Sequence, residues 1–207
     1  MNTHLQTHWE EVYASKNFEE VSWFQPVPAT SIELLETLNL PKQAAILDMG
    51  AGESRLVDYL LAQGYEDITL VDISAAALQK TSTRLGHKEQ RIQYITADAG
   101  NFVAPRKYDF WHDRATFHFL TDTTARQHYI ENLAQSLNPG AYVLLATFAE
   151  DGPRKCSGLD ICRYSADELT ALFSAFLRPV KCIKTEHFTP FDTLQRFTFC
   201  LFQYQNQ

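Results

Sequence analysis

Residues 44–54 read Ala-Ala-Ile-Leu-Asp-Met-Gly-Ala-Gly-Glu-Ser: an apolar run, an acid, two glycines one residue apart, and a small polar residue. The apolar run is short and unbroken, as in a strand buried on both faces, and an amphipathic pattern from about Ser54 to Gln63 predicts a helix behind it. Glycines at a strand-to-helix turn let the backbone bend sharply and approach a ligand closely. The same alternation continues outward. Strand DITLVD ends on Asp72, a helix spans Ser74 to Leu85, and strands RIQYITA and YDFWHDR follow. Next come a helix carrying Tyr129, Ile130, Leu133 and Leu137, an Asn138-Pro139-Gly140 stop, and strand AYVLLATF. Short apolar strands separated by amphipathic helices predict parallel pairing with both faces of the sheet covered.

The flanks differ from this core. Upstream, one helix is expected from Thr3 to Lys16 and another from Thr30, where Thr30-x-x-Glu33 has the form of a capping box. Downstream, a polar loop from Ala149 to Tyr164 leads to a helix capped by Ser165-x-x-Glu168, with Leu169, Leu172, Phe173, Phe176 and Leu177 on one face. Two strands end the pattern. VKCIKTEHF mixes charge with apolar residues as an edge does, whereas RFTFCLFQY is nearly continuous in apolar residues, so the last strand should insert between the fifth and sixth. The expected fold is α/β: a doubly wound, seven-stranded, mostly parallel sheet with a C-terminal antiparallel hairpin. A single domain is expected, with a helical cap over 1–43, a ligand-binding core over 44–148, and a lid loop, helix and hairpin over 149–207.

The chain has 207 residues and a formal charge of −7, a balance that repels polyanions, so nucleic acid and anionic membrane are disfavoured as partners. No apolar run approaches the roughly 20 residues that cross a bilayer, and the N-terminus is polar with mixed charge. These features predict a soluble, cytoplasmic protein. Cys156, Cys162, Cys182 and Cys200 form no C-x-x-C pair, so neither a zinc site nor a disulfide framework is expected, and the thiols should be reduced.

Asp72 lies at the end of the second strand, where an ionised carboxylate accepts hydrogen bonds from ribose hydroxyls, with Ile73 beside it. A dinucleotide fingerprint would need glycine where Arg55 stands, and no G-K-[ST] follows the glycines as a P-loop requires. What remains is a ligand with a ribose and a polar head but no pyrophosphate. S-adenosylmethionine has that composition.

At these residues the chain resembles the class I methyltransferases, whose first motif is an acid, x-G-x-G and a small residue; Asp48, Gly50, Gly52 and Ser54 match it. The resemblance implies S-adenosyl-L-methionine as cofactor. It also implies Asp72 as the ribose acid, and Asp98 with Ala99 as the pair that holds the adenine. Trp9, Tyr13, Trp23 and Phe24 match the W-x-x-x-Y and W-F of a branch of small methyltransferases related to lysine methyltransferases, which implies that Trp9, Tyr13, Trp23 and Arg114 join the cofactor site. Where that branch carries G-T-x-D the chain has Ala115 and His118, and it lacks an N-P-P-Y motif. The same segment is similar to small-molecule methyltransferases of the thiopurine, tellurite and halide kind, so a small molecule and a protein side chain both stand as acceptors.

Methyl transfer from a sulfonium needs alignment and exclusion of water, with no metal and no obligatory nucleophile. Candidates for a base are Asp113 and His112, at the rim of the fourth strand. Strand alternation is taken to turn Asp113 toward the crevice and His112 away from it; a helix cap is the other role open to Asp113. Arg154, Lys155 and Arg163 make the 149–164 loop locally basic, and Cys156 within it is a candidate reactive thiol. The enzyme reading competes with a catalytically silent module of the same fold that binds S-adenosylmethionine for regulation.

Overall fold

A computed structural model describes residues 3–86 and 91–205. Seven strands form one sheet, β1 (Ala45–Met49), β2 (Asp67–Asp72), β3 (Ile92–Thr96), β4 (Tyr108–Arg114), β5 (Leu137–Phe148), β8 (Leu177–Phe188) and β9 (Leu194–Tyr204), in the order β3-β2-β1-β4-β5-β9-β8. The five strands from β3 to β5 pair in parallel, whereas β9 is antiparallel to both neighbours. The doubly wound fold and the insertion of the last strand follow the sequence expectation. β1 is buried at all five positions, while most of β8 is exposed or half-buried, as an edge requires.

Helices cover both faces. α2 (Ala29–Glu36), α3 (Leu56–Ala62) and α4 (Ala75–Leu85) pack Leu34, Leu35, Leu56, Leu60 and Leu78 against Ile46, Ile68 and Phe110. On the other face α5 (Thr123–Gln135) and α6 (Ala166–Phe173) pack Tyr129, Leu133, Leu169 and Phe173 against Leu47, Trp111 and Val143. α1 (Thr3–Ser15) lies apart from both layers and sets Trp9, Val12 and Tyr13 against Ala77 of α4.

Local chemistry departs from the sequence reading in four places. α2 starts one residue before Thr30, so Thr30 sits inside the first turn and Pro28 holds the cap position; the capping box is not formed. At α6 the box does form, Ser165 accepting from Glu168 N–H, but the helix ends at Phe173, and Leu177 already belongs to β8. Asn138-Pro139-Gly140 does not end a helix. It sits in β5 as an irregularity between the pairings Tyr108 with Leu137 and Phe110 with Tyr142, after α5 has ended at Gln135. Finally, Cys182 and Cys200 are joined by a disulfide, against the expectation of reduced thiols. They are direct partners across the β8–β9 ladder, which brings their Cα atoms to 4.2 Å. Cys156 and Cys162 are free thiols.

Candidate active site

The C-terminal ends of β1, β2 and β4 open into a crevice of about 760 Å³, lined by residues that include Met49, Gly50, Asp72, Ile73, Asp98, Ala99, Arg114 and Thr116. A smaller compartment of about 360 Å³ adjoins it, lined by residues that include Asp48, Glu53, Ser54 and His112; Tyr13, Trp23, Gly50 and Arg114 line both.

The loop after β1 owes its shape to two glycines. Gly50 has φ +67° and Gly52 φ +51°, and a Cβ would stand 1.6 Å from Thr116 Oγ1 at the first and 2.3 Å from Tyr13 Oη at the second. Only glycine accepts that conformation with neighbours so close. Asp72 holds the loop: its Oδ2 accepts from Gly52 N–H and its Oδ1 from Ser74 N–H, each at 2.8 Å. Burial raises the Asp72 carboxyl to about 6, the two backbone donors pulling against that rise. Each carboxylate oxygen has a second lone pair still to offer. Ser54 caps locally, its Oγ accepting from Leu56 N–H at 3.1 Å. On the neighbouring loop Asp98 accepts from Gly100 N–H (3.0 Å) and from Asn101 Nδ2 (2.9 Å), which fixes Ala99 at the crevice wall.

The fourth strand corrects the expected roles of Asp113 and His112. Asp113 is wholly buried and turns away from the crevice. It accepts from Thr116 N–H (2.9 Å), Phe117 N–H (3.1 Å) and Tyr129 O–H (2.6 Å), so it caps the turn after β4. The alternation was right in period and inverted in phase. His112 lies on the compartment side, its Nδ1 2.6 Å from Asp48 Oδ1 and its Nε2 2.9 Å from Ser31 Oγ. Asp48 Oδ2 is buried and has no hydrogen-bond partner. Arg114 donates from Nη2 to the Trp23 carbonyl (3.1 Å), its Nε is buried without a partner, and burial lowers it to about 10.

A cover of aromatic residues lies over the opening. Trp9 meets Trp23 at 5.5 Å and Phe119 at 5.2 Å between ring centroids, and Tyr13 meets Trp23 at 6.4 Å. Glu10, which the sequence reading passed over, fastens this cover. Its carboxylate accepts from Ser74 O–H (2.8 Å), Ala75 N–H (2.7 Å) and Ala76 N–H (3.1 Å), capping the N-terminus of α4 from α1. An acid followed by Ser74-Ala75-Ala76 some 60 residues on carries no local signal.

The 149–164 loop folds back as a small hairpin of β6 (Lys155–Cys156) and β7 (Leu159–Asp160), turning at Ser157 and Gly158. Lys155 pairs with Asp160, and Arg163 donates to the Gly152 carbonyl (3.1 Å). Cys156 reaches the crevice, yet burial pushes its thiol up to about 12, the opposite of a reactive cysteine. His118 is buried under Phe119 and lowered to about 3 by burial, so it stays neutral.

The comparisons agree with this geometry. Residues 46–140 match the family described as a methyltransferase domain. The chain is 24% identical over 166 residues to EEF1A lysine methyltransferase 2 of Danio rerio, which covers 76% of this chain and 64% of that protein. The N-methyltransferase NodS of Bradyrhizobium japonicum WM9, solved with S-adenosyl-l-homocysteine, superposes with a TM-score of 0.71 at 14% identity, covering 97% of this chain and 99% of its own. A chain solved in connection with the conversion of a disulfide bond into a thioacetal group during echinomycin biosynthesis gives a TM-score of 0.74 at 18% identity, covering 97% and 93%. Among the described residues no helix is long and apolar enough to cross a membrane. The matched domain over residues 46–140, the sheet order with its inserted last strand, and the glycine loop held by an acid at the end of β2 lead to one conclusion: the chain has the class I methyltransferase fold, and its central part is similar to the methyltransferase domain family.

Proposed function

We propose that the protein transfers a methyl group from S-adenosyl-L-methionine to a nucleophilic atom of a small molecule or a protein side chain. The observation that carries this reading is the pair of unpartnered buried atoms, Asp48 Oδ2 and Arg114 Nε, on residues that line the smaller compartment. An acceptor and a cationic donor side by side suit an α-amino acid, the carboxylate bonding to Arg114 and the ammonium to Asp48. In the larger crevice Asp72 offers its remaining lone pairs to ribose hydroxyls, and Ile73, Ala97, Ala99 and Leu120 make an apolar slot for a purine. These residues fit the cofactor from one end to the other.

The cofactor, when bound, supplies a methyl already activated on a sulfonium. The protein's residues then align and enclose. Trp9, Tyr13, Trp23 and Phe119 exclude water, and their ring faces attract a sulfonium by about 0.5–2 kcal/mol. Orientation of this kind can supply on the order of 7–11 kcal/mol of barrier reduction. The thiol and phenol at the crevice are poor bases: Cys156 is held near 12, and burial keeps the Tyr13 hydroxyl protonated far above neutral pH. Neither group takes a proton from an acceptor, so an acceptor methylated beside them arrives with its lone pair free, any proton already lost to solvent before the site closes.

The test is calorimetric titration of the purified protein with S-adenosylmethionine and S-adenosylhomocysteine, with NAD and ATP as controls. A screen of acceptors follows, from small thiols, halides and tellurite to protein lysines. Saturable binding of the first pair with methyl transfer to one acceptor supports the reading. Binding without turnover on any acceptor favours the silent module, and no binding at all removes the cofactor assignment.

A further inference from the structure

The ring of His112 spans two elements that local sequence would not connect. Its Nε2 is 2.9 Å from Ser31 Oγ on α2, and its Nδ1 is 2.6 Å from Asp48 Oδ1 at the end of β1. All three side chains are buried, with 1% exposure for Ser31 and 2% for both His112 and Asp48. His112 and Asp48 are also direct partners in the β1–β4 ladder, so the backbone sets their spacing. Asp48 Oδ1 is used by the ring and Oδ2 has no partner. A neutral imidazole gives this arrangement one polarity: Nδ1–H donates to Asp48, and Nε2 accepts the Ser31 hydroxyl proton.

From this we infer that His112 is a positioning residue for the amino-acid end of the cofactor, its tautomer set by the acceptor-only Asp48 carboxylate and its ring held from α2 by Ser31. Held at Oδ1, the Asp48 carboxylate cannot rotate its second oxygen away from the compartment that His112 also lines. Without the ring, a buried carboxylate would turn toward another donor or take up a proton, and the ammonium would lose its acceptor. Asp48 makes the contact and His112 acts through it. The inference rests on the cofactor reading above, and it adds that α2, which lines neither compartment, touches the positioning ring through Ser31.

The experiment compares two probes on each variant. S-adenosylhomocysteine carries the amino-acid end, and 5′-methylthioadenosine has the same nucleoside without it. His112→Phe keeps a ring and removes the donor; it is expected to weaken S-adenosylhomocysteine about 10- to 100-fold and to leave 5′-methylthioadenosine within about 2-fold. His112→Asn, whose amide reaches the Nδ1 position, should restore most of that loss. His112→Gln, whose amide reaches the Nε2 position instead, should not. Equal weakening of both probes would mean that His112 only supports the fold, and unchanged S-adenosylhomocysteine affinity would mean that Asp48 needs no positioning; either result overturns the inference. If His112→Phe does not fold, the Asn and Gln pair decides alone, since equal affinities for those two also overturn it. A wild-type protein that binds neither probe would instead remove the cofactor reading, and this inference with it.

Discussion

Replacing Asp72 with alanine separates the two tasks of that carboxylate. In the folded chain it accepts from Gly52 N–H and Ser74 N–H, both at 2.8 Å, and it is 6% exposed. Each backbone donor left buried and unpaired costs about 1–3 kcal/mol, so the gross loss is about 2–6 kcal/mol. Part of it is returned, because removing the side chain also removes the burial penalty that raises the carboxyl to about 6. A net loss of about 2 kcal/mol at pH 7 corresponds to a fall in Tm of roughly 4–8 °C for a chain of this size. Ribose hydroxyls lose a charged acceptor as well, worth about 1.5–3 kcal/mol, or roughly 10- to 150-fold in affinity. Thermal melts and calorimetry with S-adenosylhomocysteine measure the two effects on the same sample. A Tm within about 1 °C of the wild type together with unchanged affinity would refute both assignments. A lower Tm with unchanged affinity would refute the ribose contact alone.

Gly52→Val forces a β-branched residue into φ +51° against Tyr13 Oη, and S-adenosylhomocysteine binding should vanish while far-ultraviolet circular dichroism is retained; measurable binding would mean that the ligand stays clear of the loop. Glu10→Ala removes three hydrogen bonds that tie α1 to α4, and limited proteolysis should cut the first 25 residues faster, an unchanged pattern arguing that apolar packing alone holds the cover. Thiol titration of the denatured, unreduced protein should count two free thiols, Cys156 and Cys162, and a count of four would remove the Cys182–Cys200 bridge. Asp72 and Asp113 both stand at about 6 against an ordinary 3.8, so the fold favours their protonated forms. Their stabilising contribution is full below about pH 3.8 and is lost as pH rises through 6, whereas affinity for the cofactor should rise over the same window as Asp72 ionises. Denaturant midpoints of Asp113→Asn that follow pH as steeply as the wild type would discount the Asp113 share.

The alternation of strands and helices, the insertion of the last strand and the Asp48–Ser54 turn were legible because they rest on local patterns: apolar runs, glycine spacing and amphipathic period. Phase was harder. A period of two says that His112 and Asp113 face opposite ways, but which one meets the crevice depends on the ladder that places His112 beside Asp48. Glu10 escaped notice because its partners, the backbone N–H groups of Ala75 and Ala76, exist as free donors only once α4 has formed. The disulfide was missed for a similar reason. Cys182 faces Cys200 because the β8–β9 turn centres on Phe191, with Thr189 and Thr193 bonded across it, and composition alone does not locate that centre.

The placement of β9 has a consequence for how the chain comes into being. During synthesis β9 emerges after every other strand, yet it lies between β5 and β8. Until it arrives, β5 presents an open edge whose residues from Val143 to Phe148 are all buried in the finished sheet, and β8 has no neighbour to join. The sheet therefore closes only after translation of about residue 204, in a step dominated by pairings distant in sequence. A nascent chain stalled before β9 would expose a sticky apolar edge, so chaperone dependence should peak there and fall once the last strand slots in.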